Sequence, residues 1–356
     1  MTYRALQPLA GNPDDFMFGV VFGLKADLEF DYKEYGLNYY HSNDPCFACG
    51  ADCNDGNNNL NEYRADRSTW LNNVYTKTQW ALSPYNTHPI FKLPGLSILT
   101  VICDVMHCKH IGTDQYYYGS VLVLLCFYML PGTPSENLSI VWKLIQAYYK
   151  SHGTLGRFTN LRFTMFCRYS VGMPDGHEKQ MPCLVGRAGE IRSLAPALLY
   201  VFQQFRGRVC GEVPATQMAQ VELGLKASIR MDVILEENKS CVKCPPVVYD
   251  EFATAGMNFL IIFNALGNYY SDVRRPAMKL FNVTIKAHYL CHCILQAKHL
   301  NPRLGWCYAG EDVMFRVRRL LASNTKHNSP SNCTNSFATQ YRVGMHLLFK
   351  NLSNAG

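Results

Sequence analysis

The apolar positions of the chain form two short, continuous runs near its N-terminus and a series of longer runs with helical spacing. The stretches "FMFGVVFGLKADLEFD" and "HPIFKLPGLSILTVICD" are each typical of a buried strand, the first ending at Asp27 and the second at Asp104. From about residue 113 to 280, apolar residues recur with a period near 3.6, which predicts helices. The most apolar run, residues 116–130, is too short to cross a bilayer and predicts a buried helix. The pattern indicates a small α/β unit at both ends of the chain with a helical block between them.

Acids stand at the two predicted strand ends, and a third, Glu311, opens the late helical stretch "EDVMFRVRRLLAS". A carboxylate that ends a buried strand is costly unless it has a partner. Carboxylates that converge at strand ends bind Mg²⁺ or Mn²⁺. Two such ions, about 3.5–4 Å apart, activate the attacking oxygen and stabilise the leaving oxygen in phosphodiester chemistry. The spacing alone favours three unrelated surface acids over a metal site, and neighbouring acids are alternatives: Glu29, Asp31 and Asp312.

Three segments resemble the catalytic core of eukaryotic cut-and-paste transposases of the CACTA and KDZ-like group. The stretch "HPIFKLPGLSILTVICDVMHCKHIGTDQ" is similar to the segment around that family's second aspartate, and "KADLEFDYKEYGLNYYHSNDPCFAC" to the segment around its first. Further on, "IKAHYLCHCILQA" is similar to the helix that precedes the catalytic glutamate. The hAT transposases and the RAG recombinase share this plan. Each motif is short, so their order carries more weight than any one of them.

The resemblance implies an α/β fold, namely an RNase H-like core interrupted by a large, mainly helical insertion. The core would comprise residues 15–112 and 283–325, the insertion residues 113–282, and a C-terminal tail residues 326–356. The family's domain for recognising transposon ends is not expected in this chain. The sequence therefore resembles a domesticated copy, a fragment, or an element whose partner supplies that recognition.

The resemblance also implies metal-dependent cleavage and strand transfer of DNA by Asp27, Asp104 and Glu311, with Mg²⁺ or Mn²⁺ as cofactor. His107 lies three residues after Asp104, close enough to orient its carboxylate, although a purely structural histidine is an equal alternative. The expected partner is DNA, with a homodimer as a further expectation. Basic residues that would contact the DNA phosphates are Lys109, Arg316, Arg318 and Arg319.

A zinc site is also implied. Cys46 and Cys49 in "PCFAC" form a knuckle that can give two thiolates to zinc, and His288 and His292 share one helical face four residues apart. A Cys₂His₂ site would tie the first-aspartate region to the helix before Glu311, so the zinc would be structural. The alternative is two buried cysteines and incidental histidines. Substitute ligands and a second cysteine pair without an evident histidine partner remain open: Cys53, Cys291, Cys241 and Cys244.

Composition adds weaker constraints. The formal net charge of +7 suits a polyanionic partner. The fifteen cysteines, together with an N-terminal stretch that lacks the apolar core of a secretion signal, favour a reducing, nuclear or otherwise intracellular location. No membrane association is expected. "GRAGEIRSL" lacks the context of a phosphate-binding loop, so no nucleotide cofactor is expected either. Two other functions stay open: a catalytically inactive, zinc-stabilised nucleic-acid-binding protein derived from a transposase, and a helical interaction protein.

Overall fold

The computed structural model describes most of the chain, which divides into two compact units, residues 1–306 and 307–356. Both predicted core boundaries, at residues 112 and 282, lie inside the first unit. The described residues are 23–39, 41–54, 56–82, 86–93, 95–167, 181–206, 214–271, 279–308, 315, 317–322 and 329–353.

The sheet of the first unit consists of two short parallel strands, β1 (Leu24–Ala26) and β2 (Val101–Cys103). An RNase H-like core requires a larger mixed sheet. The described residues are instead mostly helical, with this pair as their sheet, so the predicted RNase H-like fold is wrong. Part of the reason lies in the sequence before β2. Pro89 begins a 3₁₀ turn (Pro89–Lys92) because its fixed φ suits the first position of a helical turn, and a second 3₁₀ turn, Ile98–Thr100, leads directly into β2.

Helices build the rest of the first unit. The predicted helical block is confirmed, since the regular structure described between residues 114 and 271 is helical. The apolar run 116–130 forms a buried helix whose last turn is a π-turn, Leu125–Met129, and a wider, kinked π-helical segment, Met106–Thr113, precedes it. The helices are α1 (Leu28–Tyr35), α2 (Lys77–Ala81), α3 (Asp114–Leu124), α4 (Pro134–Ser151), α5 (Ala188–Phe205), α6 (Ala215–Glu237), α7 (Pro246–Ser271) and α8 (Ile285–Gln296).

Local sequence signals explain where several helices begin and end. Asp27 caps the N-terminus of α1 by accepting a hydrogen bond from the Phe30 N–H, and Gly36 ends the helix in the left-handed conformation that glycine adopts without strain. Thr133 and Glu136 form a reciprocal capping box at the start of α4, with Pro134 at its first position. None of the described helices combines the length and the apolar character that a bilayer crossing requires.

Helix α8 passes through the centre of the first unit. Every residue from Ala287 to Ile294 is buried, and the helix packs against α7, β2 and the segment Met106–Thr113. Near its C-terminal end, the Gln296 side chain accepts a hydrogen bond from the Cys103 N–H and donates one to the Val101 carbonyl. This side chain therefore satisfies backbone groups of β2 that a third strand would otherwise pair with.

A buried ionic cluster joins the segment before α3 to α6. The Lys109 ammonium donates hydrogen bonds to Asp114, Ser228 and Asp232 at 2.8–2.9 Å, and His110 pairs with the other oxygen of Asp232 at 2.9 Å. Burial raises the pKa of the Asp232 carboxyl. The adjacent Lys109 and His110 lower this pKa by more than burial raises it, so the net pKa lies well below its ordinary value. Burial raises the pKa of Asp114, although Lys109 opposes this. The cluster satisfies the polar groups that these elements bury.

The described part of the second unit is helical. Residues 317–322 form a helical segment, and helix α9 spans Pro330–Ser353. Arg318 and Arg319 are exposed, and the Arg319 guanidinium lies 5.5 Å from the centre of the Phe315 ring. Glu311 and Arg316 lie outside the described residues.

Candidate metal centre

Four metal-ligating side chains converge in the first unit, and they are the four that the sequence predicts. Cys46 Sγ lies 3.3 Å from His292 Nε2, and Cys49 Sγ lies 3.3 Å from His288 Nε2. The two imidazole Nε2 atoms are 3.1 Å apart. All of the ligand atoms lie within 4.8 Å of one another, and all four residues are buried. The predicted convergence of the cysteine knuckle with the histidine pair is confirmed.

Hydrogen bonds around these side chains set their orientation. His288 Nδ1 is 2.8 Å from the Leu60 carbonyl, so Nε2 is the atom that faces the cysteines. The Ala48 N–H donates to Cys46 Sγ at 3.3 Å. Between the two histidines on α8, the Tyr289 hydroxyl donates to the Pro45 carbonyl and accepts from the Phe47 N–H. Tyr289 thus holds the cysteine loop against the helix.

Trp70 covers the centre. Its ring, fully buried, lies 4.3 Å from the His288 ring and 5.6 Å from the His292 ring, centre to centre, and its N–H donates to the Asn59 carbonyl. A closed site with four protein ligands leaves no coordination position for substrate or water, which is typical of structural rather than catalytic zinc. The residues Cys46, Cys49, His288 and His292 are therefore compatible with a structural zinc ion.

The donor set also fits zinc in its dimensions. Zinc–sulfur bonds of about 2.3 Å and zinc–nitrogen bonds of about 2.0–2.1 Å in a tetrahedron require ligand atoms roughly 3.3–3.8 Å apart. The two sulfur–nitrogen separations of 3.3 Å lie at the short end of that range, and the 3.1 Å between the two nitrogens lies just below it. The alternative ligands lie elsewhere: Cys53 is exposed, and Cys291 Sγ contacts Met257 Sδ at 3.6 Å.

The two thiols have opposite pKa shifts. Burial raises the pKa of Cys46, but a hydrogen bond from Cys49 and the neighbouring imidazoles outweigh it, so the net pKa falls well below its usual value. The same hydrogen bond, with burial, raises the pKa of Cys49. Because zinc binds thiolates, metal binding releases any proton that the two cysteines carry.

A second candidate centre lies at the ends of the two strands. Because Ala26 pairs with Cys103, the next residues, Asp27 and Asp104, occupy matching positions at the same edge of the parallel pair. Adjacent strands lie about 4.8 Å apart, so the two backbone positions are neighbours. Glu311, the predicted third acid, lies outside the described residues. The structure thus brings two of the three predicted catalytic acids to one edge.

These two acids differ in environment. Asp104 is 2 % exposed, and its carboxylate accepts from the Met106 N–H at 2.9 Å and pairs with His107 Nδ1 at 2.5 Å. Asp27 instead lines a cavity of about 350 Å³, together with His107 and Lys286. His107 thus connects the buried Asp104 carboxylate, through this hydrogen bond, to the cavity wall. The sequence predicts Asp104 at the reaction centre with His107 behind it, and the geometry places His107 on the cavity instead.

Other predicted site residues have different surroundings. Lys109 is fully buried in the ionic cluster, so the prediction that it contacts DNA does not agree with its position. Cys241 and Cys244 lie in a loop, where Asn301 donates to the Cys241 carbonyl at 2.9 Å. Among the described residues, no third ligand completes a metal site with this cysteine pair.

Asp31 is a buried acid that sequence reasoning treated only as an alternative to Asp27. It is 4 % exposed, and no described group forms a hydrogen bond with its Oδ1. Burial, with a smaller contribution from Asp27, raises the pKa of Asp31 from 3.8 to about 7. Its spacing of one helical turn from Asp27 was the available signal, but spacing does not reveal burial.

Asp31 makes a testable contribution to the pH dependence of stability. Between pH 4 and 7 the folded protein binds a proton at Asp31 that the unfolded chain has released, so rising pH lowers the free energy of unfolding by about 1.4 kcal/mol per pH unit. Above about pH 7 this contribution is constant. We expect Asp31→Asn to gain stability relative to the wild type as pH rises from 5.5 to 7, and then to keep that advantage.

Urea unfolding of both proteins at several pH values measures this difference. Since both carry the same zinc ligands, the pH dependence of zinc binding cancels. Glu34→Gln, an exposed acid on the same helix, is the control and should give a pH-independent difference. A pH-independent difference for Asp31→Asn would show that Asp31 is ionised in the folded state.

Comparisons with known proteins give no further identification. No family model, no curated protein and no solved structure matches this chain. The likeness to transposases consequently rests on the short motifs alone.

Proposed function

We propose that this protein binds DNA at the cavity beside the ends of β1 and β2 and cleaves its phosphodiester backbone with a divalent cation, Mg²⁺ or Mn²⁺. The observation that supports this most is the register that brings Asp27 and Asp104 to matching positions at the end of a parallel strand pair. Asp27 also lines the adjacent cavity, whose lining includes both Glu29 and Lys286. The zinc at the buried cysteine–histidine site has a structural role in this proposal.

The residues fit such a cation. Asp27 uses Oδ1 to cap α1, and among the described groups its Oδ2 has no hydrogen-bond partner, which leaves this oxygen for a metal. Asp104 oxygens accept hydrogen bonds, but each carboxylate oxygen has two lone pairs. When bound, the cation would activate a water or hydroxyl and stabilise the leaving oxygen. The hydrogen bond with Asp104 fixes the orientation of the His107 imidazole on the cavity wall.

The first test is the cleavage of supercoiled plasmid DNA in Mg²⁺ or Mn²⁺ by the wild type and by Asp27→Asn and Asp104→Asn. Loss of a metal ligand removes several kcal/mol of transition-state stabilisation, so each variant should be slower by about 1,000-fold. His107→Ala should lose about 10–100-fold if it acts by orienting its neighbour. Glu34→Gln should match the wild type. Retention of cleavage in both aspartate variants would contradict the assignment.

A second candidate function is DNA binding without cleavage. It is favoured by the burial of Asp104 behind His107, because both Asp104 oxygens already accept hydrogen bonds from the protein. A wild type that holds zinc and binds DNA, yet leaves plasmid intact in both metals, would support this function over the first.

A further inference from the structure

The first turn of α8 forms part of the wall of the cavity that Asp27 also lines. Thr284, Ile285 and Lys286 line it, and Thr284 occupies the N-cap position with an extended backbone. The first N–H groups of a helix have no acceptor within that helix, and its dipole favours negative charge at this end. By itself a helix N-terminus has little specificity, so the side chains of this turn decide whether a ligand is held.

Two side chains of the turn point to an anion. Lys286 is mostly buried, and burial lowers the pKa of its ammonium, a cost that an anion beside it would offset. Of its three N–H groups, one donates to the Ile111 carbonyl at 2.7 Å, and no other acceptor for them is found among the described residues. The Thr284 hydroxyl is buried but does not cap the helix, and within the described structure it has no hydrogen-bond partner.

The backbone around Lys286 is shaped to hold its stem. Gly112 lies beside it, and a Cβ at Gly112 would lie 3.1 Å from Lys286 Cδ and 2.6 Å from the His107 carbonyl oxygen. A larger residue would therefore collide with the lysine stem or with the turn that carries His107. The ammonium is consequently held at a fixed place on the same cavity as Asp27 and His107.

We infer that Lys286, with the Thr284 hydroxyl and the first turn of α8, forms a subsite for a phosphate group of the DNA backbone. The inference rests on the proposed function for its substrate class, but it assigns a binding role that is separate from cleavage. The ammonium supplies the charge, and the hydroxyl and helix N–H groups supply directed hydrogen bonds to the phosphate oxygens. A phosphate held here would lie in the cavity that the strand-end aspartate, Asp27, also lines.

The test is the affinity for a labelled duplex oligonucleotide, measured by fluorescence anisotropy over a series of NaCl concentrations without divalent cation. We compare Lys286→Met with Lys298→Met, which removes an exposed lysine just beyond the same helix. Each phosphate contact contributes about 0.9 to the slope of log K against log salt. Lys286→Met should lower that slope by about 0.9 relative to Lys298→Met and weaken binding about 10-fold at low salt, whereas Lys286→Arg should retain the slope.

A second variant, Thr284→Val, separates weaker DNA binding from a loss of stability. It removes a hydroxyl that has no partner in the described structure, so the variant should unfold at the same temperature as the wild type or higher, yet bind DNA about 3–10-fold more weakly. Inorganic phosphate should compete with the duplex for the wild type but not for Lys286→Met. Equal competition in both proteins, by phosphate or by sulfate, would indicate general charge screening instead.

The outcomes separate the two proposals. If the wild type cleaves DNA while Lys286→Met binds with an unchanged slope, the phosphate subsite is overturned and the proposed function stands. If Lys286→Met loses slope while the wild type does not cleave, the subsite stands and the cleavage proposal fails. A wild type that does not bind the duplex at all overturns the subsite.

Discussion

Removal of zinc is expected to unfold the first unit of this protein. The purified chain should hold about one zinc per molecule, and a strong chelator should abolish its cooperative thermal transition. Structural zinc sites of this kind bind with about 10 kcal/mol or more, and whole domains are stable by only about 5–15 kcal/mol. Because the ligands come from a loop near residue 46 and from α8, the metal joins segments about 240 residues apart.

Two variants and one control measure this effect. Cys46→Ala and His292→Ala should each lose the metal and most of the stability, whereas Cys53→Ala, at an exposed cysteine outside the centre, should keep both. Trp70 packs on both histidine rings, so its fluorescence should change when zinc is removed and recover when zinc is returned. Zinc affinity should fall with falling pH, because protons compete for the thiolates. An unchanged thermal transition after complete removal of zinc would contradict the structural role.

Loss of the Lys109 ammonium is expected to have the next largest effect on stability. Lys109→Met leaves Asp114 and Asp232 buried without their shared cation, and breaking a buried pair in this way costs about 3–5 kcal/mol. Lys33→Met provides the comparison, since Lys33 forms an exposed pair with Glu29 one helical turn away, and such pairs contribute at most about 1 kcal/mol. Urea unfolding midpoints of the two variants give the difference directly.

A compensating variant identifies the cause of that loss. Lys109→Met combined with Asp114→Asn and Asp232→Asn removes the uncompensated charge, so it should recover part of the stability lost by Lys109→Met alone. If Lys109→Met costs less than 1 kcal/mol, or if the triple variant is no more stable than the single one, the cluster does not depend on its ion pairs.

The effect of zinc should extend to the cavity. Helix α8 carries His288 and His292 in its middle, Lys286 in its first turn, and Gln296, which binds the backbone of β2, near its end. A metal that fixes the helix therefore also fixes the cavity wall relative to the strand ends. The metal centre and the cavity wall are linked because both use side chains of the same helix, and no sequence motif predicts this link.

Much of the local structure follows from the sequence pattern. The apolar run at residues 116–130 and the helical spacing through residue 271 correspond to buried helices, because a period near 3.6 reflects a property of the chain itself. The strand ends at Asp27 and Asp104 were also predicted, since an apolar run that stops at an acid limits the strand. The candidate metal ligands could be predicted because their spacings, three positions apart in a loop and four apart on a helix, are short-range.

The size of the sheet was predicted incorrectly because it depends on long-range pairing. Apolar runs before β2 have the composition of a strand, yet 3₁₀ turns at Pro89–Lys92 and Ile98–Thr100 take up much of the segment. Gln296, from a helix almost 200 residues later, then bonds to the backbone of β2. Tertiary packing decides whether a strand or a side chain pairs with the β2 backbone, and the local sequence pattern does not predict that choice.

By itself, the sequence identified the four candidate metal ligands and where the helices run, since the signals for both lie within a few positions of one another. Only the tertiary structure decided which charges are buried. The sequence pattern predicts a surface position for Lys109, yet this lysine lies in the core between two aspartates. Lys286 has no distinguishing signal in the sequence, yet it lines the cavity. The physical reason is that the free energy of a charge depends on its solvation and on its partners, and segments more than 100 residues away, such as those that carry Asp232 and Ile111, provide part of both.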